Sequence, residues 1–211
     1  AFEVRPDLLP EDGPADPRAT EITVRQLLRH TSGIPGRRDG FQPMFEPAKI
    51  AAQRGVEPPA DAEATIRYAL GRELAADPGT RFAYANLGYC LLGRVIEGVT
   101  GRDYEAHVSD RILKPLGAHR MAIGATRQSG LREGEVTYYG HQRVESPYAD
   151  VGEVSRPYGA ASLRANDADG GWVGSTVDLL RFVEGVDGRS RVPDVLDGAT
   201  IETMTARPDL P

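Results

Sequence analysis

The amino-acid sequence predicts a mainly α fold with a minor β-hairpin, and three observations carry that expectation. Two segments open with a side chain placed to cap a helix and a polar partner three residues on, Thr23 with Gln26 and Ser175 with Asp178. Between them, Asn86 to Thr100 is apolar nearly all round a helical circumference, the pattern of a helix central to a core. Only Glu135 to Val144 alternates with a period of two, around Gly140 and rich in Val, Thr and Tyr, which predicts the hairpin.

Taken in order, residues 1–21 set Pro6, Pro10, Pro14 and Pro17 among acidic residues without any period, and are expected to form an extended Pro-rich arm ahead of a unit spanning 22–211. The helix capped by Thr23 has an Ile22/Leu27 staple at its start and Gly33 placed to close it. Arg37 to Pro59 holds four prolines and reads as a long excursion with one short helix near Pro47 to Arg54. Asp61 can cap a helix carrying Ile66, Ala69, Leu70 and Leu74, stopped by Asp77-Pro78-Gly79. Its neighbour starts at Asn86 and ends at Gly101. Asp103 opens another, with Tyr104, Val108 and Ile112 on one face before Lys114-Pro115. Ser175 caps a run with Leu179, Leu180, Phe182 and Val183, and Ala199 to Ala206 suits a short final helix.

Composition narrows the function classes. With 211 residues, 40% of them hydrophobic, the chain is long enough to bury a core, while 24 Gly and 16 Pro predict many turns. A net charge of −6 at pH 7 argues against nucleic acid or an anionic membrane as partner, since both call for a basic face. Cys90 is the sole cysteine, so no disulfide forms within these residues, and its place in an apolar run predicts an inert thiol. No run of about 18 apolar residues occurs, and residues 1–20 lack a basic-then-apolar leader pattern. Localisation is left unknown, with an extracytoplasmic larger protein still open.

The chemistry concentrates at Tyr84-Ala85-Asn86, which puts a phenol and a carboxamide on one short turn, a pairing suited to acyl transfer. A phenol titrates near 10, so using it as a base at neutral pH requires nearby cations that stabilise the phenolate. The bare three-residue pattern also fits a packing aromatic followed by a helix cap. Ser32 lacks both a lysine three residues on and a Gly-x-Ser-x-Gly elbow, which favours a capping role. His107, His119 and His141 have no zinc-like spacing, and no metal or cofactor is expected. Asn166 to Gly171 has the look of a calcium loop, but Ala165 and Thr176 stand where its first and last acidic ligands belong, leaving a solvated turn. Trp172, beside paired glycines, suits a core anchor or a cleft wall.

Several segments in order carry a family resemblance: Ile22-Thr23-Val24-Arg25-Gln26-Leu27-Leu28-Arg29-His30-Thr31-Ser32-Gly33, Pro78-Gly79-Thr80-Arg81-Phe82-Ala83-Tyr84-Ala85-Asn86-Leu87-Gly88-Tyr89, Ile112-Leu113-Lys114-Pro115-Leu116-Gly117 and Gly170-Gly171-Trp172-Val173-Gly174-Ser175-Thr176. Together they resemble the middle portion of the serine β-lactamase and penicillin-binding protein superfamily, in its class C β-lactamase, D-alanyl-D-alanine peptidase and esterase branch. The resemblance implies the helical domain of the β-lactamase-like fold, lacking most of the α/β sheet domain. It implies that Tyr84 is a general base or proton shuttle, that Asn86 binds the substrate amide and a lysine, and that His30 is structural.

Such enzymes attack with the Ser of a Ser-x-x-Lys motif, and no Ser-x-x-Lys occurs in these residues. The expectation is therefore a part of a serine hydrolase acting on a small-molecule or peptide substrate, inactive as this chain alone. A non-catalytic helical interaction or ligand-binding module derived from that fold is the alternative.

Overall fold

Thr23 starts the first helix as its side chain requires. In the computed structural model, which describes residues 1–206, its hydroxyl accepts the Gln26 N–H at 3.2 Å and the Gln26 carboxamide accepts the Thr23 N–H at 2.8 Å. Residues 207–211, the end of the expected 22–211 unit, lie outside the described residues. Helix α1 (Val24–Leu28) stops well before Gly33, because His30 takes a left-handed conformation with φ 55°.

Helix α2 (Pro47–Arg54) opens on a proline and closes on Gly55 at φ 64°. The following loop returns to its start, where the Ala60 N–H reaches the Pro47 carbonyl at 3.2 Å. Helix α3 (Ala62–Leu70), capped by the Asp61 carboxylate on the Ala64 N–H at 2.7 Å, thus runs beside α2 in the same sense. Leu70, not Asp77, is its last residue. Helix α4 (Asn86–Thr100) is the longest, and Leu87, Cys90, Leu91, Leu92 and Val95 are buried along it. Helix α5 (Tyr104–Val108) begins on the Asp103 cap and continues into a wider turn over Ser109–Leu113.

The core lies where α1, α3 and α4 meet, around Leu27, Ile66, Leu70, Leu87 and Leu91. Burying each of these aliphatic side chains favours the fold by about 1.5–3 kcal/mol. Residues 1–21, expected to be extended, instead form two tight turns, Pro6–Leu8 and Pro17–Glu21, each opened by a proline. Phe2, Leu8 and Ala19 join the same core, and the Ala1 nitrogen donates to the Ile22 carbonyl at 2.9 Å.

The mainly α class needs correction. Helices take 41% of the residues and strands 5%, so the chain is helix-rich with a few short strands rather than a helical domain standing apart. Strand β1 (Ala122–Ile123) pairs antiparallel with β4 (Trp172–Val173), a contact between distant segments that no local periodicity announces. The hairpin also falls later than Glu135 to Val144: β2 (Arg143–Glu145) pairs with β3 (Glu153–Ser155), with Val144 opposite Val154. Val136 and Tyr139 are exposed, so the alternating stretch has the right propensity without a core to face. Helix α7 (Thr176–Glu184) keeps its expected cap, the Ser175 hydroxyl accepting the Asp178 N–H at 3.1 Å, yet Leu179, Leu180 and Val183 stay exposed. Helix α8 (Gly198–Thr205) follows, capped by Asp197.

Asn166 to Gly171 is not a solvated turn either. It forms the short helix α6 (Asp167–Gly170), packed on α4, and Asp167 is buried against Arg94 with 2.5 Å between guanidinium and carboxylate. Burial pushes the Asp167 carboxyl above the usual range while Arg94 opposes the shift. Trp172 is held as a half-buried anchor, its indole N–H donating to the Tyr104 hydroxyl at 3.2 Å. The Cys90 thiol is wholly buried between α4 and α6, which raises its pKa well above the ordinary value and keeps it unreactive.

Candidate active site

The turn that carries Tyr84 and Asn86 is laced to the residues after α1. The Ala83 N–H donates to the His30 carbonyl at 2.8 Å, the Gly79 N–H to the Thr31 carbonyl at 2.7 Å, and the Ala75 N–H to the Gly33 carbonyl at 2.8 Å. From the other side, the Arg37 N–H donates to the Tyr84 carbonyl at 3.2 Å. Asp39 fixes that second segment, accepting the Gly36 N–H at 2.9 Å and the Arg81 guanidinium at 2.9 Å. Those two contacts, the backbone one first, hold its carboxyl below the usual range.

His30 sits behind the turn. Its ring is 4.6 Å from that of Tyr84 and 5.2 Å from that of Tyr89, and its Nδ1 accepts the Ala85 N–H at 3.3 Å. Burial lowers its pKa, so the imidazole is neutral at physiological pH, which the acceptor role of Nδ1 requires. Ser32 is buried, and its hydroxyl faces the Ile34 N–H at 3.4 Å, a local turn contact with no base beside it.

Tyr84 and Asn86 line the same cleft, together with Arg37, Phe41, Pro43 and Met44. The cleft is narrow and opens to solvent. Tyr84 is half exposed, and the Asn86 carboxamide makes no hydrogen bond among the described residues. Asn86 is the first residue of α4 and not its cap; Ala85 occupies the cap position with no side-chain bond there. The carboxamide thus has its donors and acceptor available for a ligand. Phe41, Met44 and Arg37 were not anticipated, since nothing in the irregular 37–45 stretch marks it as a cleft wall. Among the described residues no three His, Cys, Asp or Glu side chains are placed to share a metal ion, and no helix is long and apolar enough to cross a membrane.

The chain matches the family described as Beta-lactamase over residues 6–211. It is 27% identical over 162 residues to penicillin-binding protein 4* of Bacillus subtilis, covering 76% of this chain and 34% of that protein. Among solved structures, a D-stereospecific amidohydrolase from Streptomyces sp. superposes on all of the chain with a TM-score of 0.67 at 25% identity, which is 57% of that enzyme. The octameric penicillin-binding protein homologue from Pyrococcus abyssi matches 92% of the chain, and 39% of its own, with a TM-score of 0.57 at 30% identity. The chain therefore spans about a third to a little over half of these relatives.

Proposed function

Because the chain belongs to the β-lactamase family of serine hydrolases, we propose that the Tyr84–Asn86 cleft is one wall of an acyl-transfer site for a β-lactam, a D-amino-acid peptide or an ester. Tyr84 takes the proton of the attacking serine hydroxyl as its oxygen bonds to the substrate carbonyl, and returns that proton to the leaving group. Asn86 holds the substrate amide and the lysine beside the nucleophile. The observation that carries this reading is the placing of an exposed phenol and an unengaged carboxamide on one cleft, with the backbone between them clamped by His30 and Arg37. Preorganised groups contribute to catalysis because they need no rearrangement as charge develops.

No Ser-x-x-Lys occurs in the 211 residues, so the wall acts only with a nucleophile supplied from outside them. The chain alone is predicted not to turn over nitrocefin, p-nitrophenyl esters or D-amino-acid amides. Stoichiometric acylation of a serine in it by a fluorescent penicillin, mapped by mass spectrometry, would show the proposal to be wrong. In a protein that joins this chain to its Ser-x-x-Lys segment, Tyr84→Phe should lower kcat by about 10²–10⁴ and leave the melting temperature unchanged. Unaltered turnover with a large fall in stability would reduce Tyr84 to a packing residue.

A further inference from the structure

A second, shallow concavity of about 390 Å³, open to solvent, lies on the outer side of α2 and α3, lined by Gln53, Arg54, Arg67, Tyr68 and Arg72. No acidic side chain lines it, although the chain as a whole has 31 acidic residues against 25 basic. The arginines differ in how they are held. Arg67 is engaged, donating to the Asp7 carbonyl at 3.0 Å and to Glu63 at 3.1 Å. Arg72 has no carboxylate partner among the described residues. Its guanidinium lies 4.9 Å from the Phe41 ring and 5.6 Å from the Tyr68 ring, and donates to the Tyr68 hydroxyl at 3.3 Å. Arg54, the last residue of α2, is exposed and makes no ion pair or hydrogen bond among the described residues.

Because α2 and α3 run in the same sense, both C-terminal ends face this groove, and part of its positive charge complements their dipoles. Each end carries at most about half a negative charge, and Glu63 neutralises Arg67. That leaves an excess of about one positive charge on Arg54 and Arg72. Stacking on two aromatic rings orients the planar Arg72 fork, whose only hydrogen bond among the described residues is the one from Nη2 to the Tyr68 hydroxyl, so its other N–H groups are unused. A preorganised guanidinium and a second free one in a single concavity match the donor geometry that carboxylate and phosphate oxygens accept.

We propose that this groove is an anion-binding site, distinct from the Tyr84 cleft, that takes a carboxylate or phosphate group between Arg54 and Arg72 with Tyr68 beneath it. The two sites are bridged by one ring: Phe41 lines the Tyr84 cleft and also stacks on Tyr68 at 6.3 Å and under Arg72.

The test is titration of the chain at low ionic strength with inorganic phosphate, and separately with succinate, followed by amide chemical shifts and calorimetry, with sodium chloride at matched ionic strength as control. Saturable binding of either anion, with shifts centred on Gln53, Arg54, Tyr68 and Arg72, is expected. Whichever anion saturates at the lower concentration identifies the oxyanion chemistry of the natural ligand. Arg54→Gln and Arg72→Gln should each weaken binding about tenfold, as loss of one charge-assisted contact predicts. Arg72→Lys should retain part of the affinity, while Arg38→Gln, an exposed arginine outside the groove, and Tyr84→Phe should change nothing. A linear response equal to that of chloride, or saturable binding indifferent to Arg54→Gln and Arg72→Gln, would overturn the proposal. Since Tyr84→Phe leaves this binding intact, failure here is separate from failure of the acyl-transfer reading.

Discussion

The imidazole of His30 lies 4.6 Å from the Tyr84 ring at an interplanar angle of 42°, while its Nδ1 accepts the N–H of Ala85, the residue between Tyr84 and Asn86. One side chain thus sets both the ring and the backbone of the turn. His30 is also the one non-glycine residue with positive φ among the described residues, so the backbone is bent in order to deliver the ring there.

His30→Ala should destabilise the fold by about 1–3 kcal/mol, from an N–H left without its acceptor and lost ring contact, and His30→Asn less, because Asn tolerates the left-handed backbone. The pH dependence follows from the lowered pKa. A neutral His in the folded state contributes stability that is present above the ordinary value of 6.5 and is lost as pH falls toward the lower folded value. Urea melts of the wild type and both variants between pH 7.5 and 5 measure this; a wild type whose stability is flat across that range while His30→Asn matches it would refute the assignment.

Gly36 has a more restrictive role. A Cβ there would stand 2.2 Å from the Tyr84 carbonyl oxygen, well inside contact distance, and that oxygen belongs to backbone that cannot swing aside. Gly36→Ala should therefore cost about 1–3 kcal/mol and break the Arg37 N–H contact to Tyr84. Hydrogen exchange at the Arg37 amide should accelerate. Unchanged exchange together with an unchanged melting curve would mean that the two segments have room to part.

How far the sequence disclosed this site depends on the range of each signal. The Thr23, Asp61, Asp103 and Ser175 caps were legible because a cap is a contact over three residues. The end of α1 was not, because Gly33 offered a stop signal and the actual turn is made by His30, whose left-handed backbone is stabilised by contacts with residues 83–89. The β1–β4 pair joins residues about fifty positions apart through two residues each, too short for any alternation to show. Asn166 to Gly171 looked solvated because its acids are conspicuous, whereas the partner buried with Asp167, Arg94, lies within a helix read as apolar nearly all round. Tyr84 and Asn86 stood out as a pair, but Phe41 and Arg37 share their cleft only through the fold.

The α6 turn makes the sharpest pH prediction. The Asp169 carboxyl is raised from 3.8 to about 7, first by burial and then by the neighbouring Asp167 charge, and its Oδ1 and the Asn166 Oδ1 are both buried without a hydrogen-bond partner. Near it stand Cys90 of α4, Asp167 of α6 and Tyr104 of α5, and the nearby Arg94 is already paired with Asp167. A carboxyl whose folded pKa is raised contributes stability below its unfolded value of 3.8 and loses it as pH rises toward 7, leaving a penalty on the order of a few kcal/mol at pH 8. Asp169→Asn, neutral at every pH and of the same shape, should raise stability at pH 8 and flatten the decline between pH 4 and 7, opposite in sign to the His30 effect. Denaturant melts across that range decide it: equal slopes for wild type and Asp169→Asn would show that the carboxyl reaches water and ionises normally.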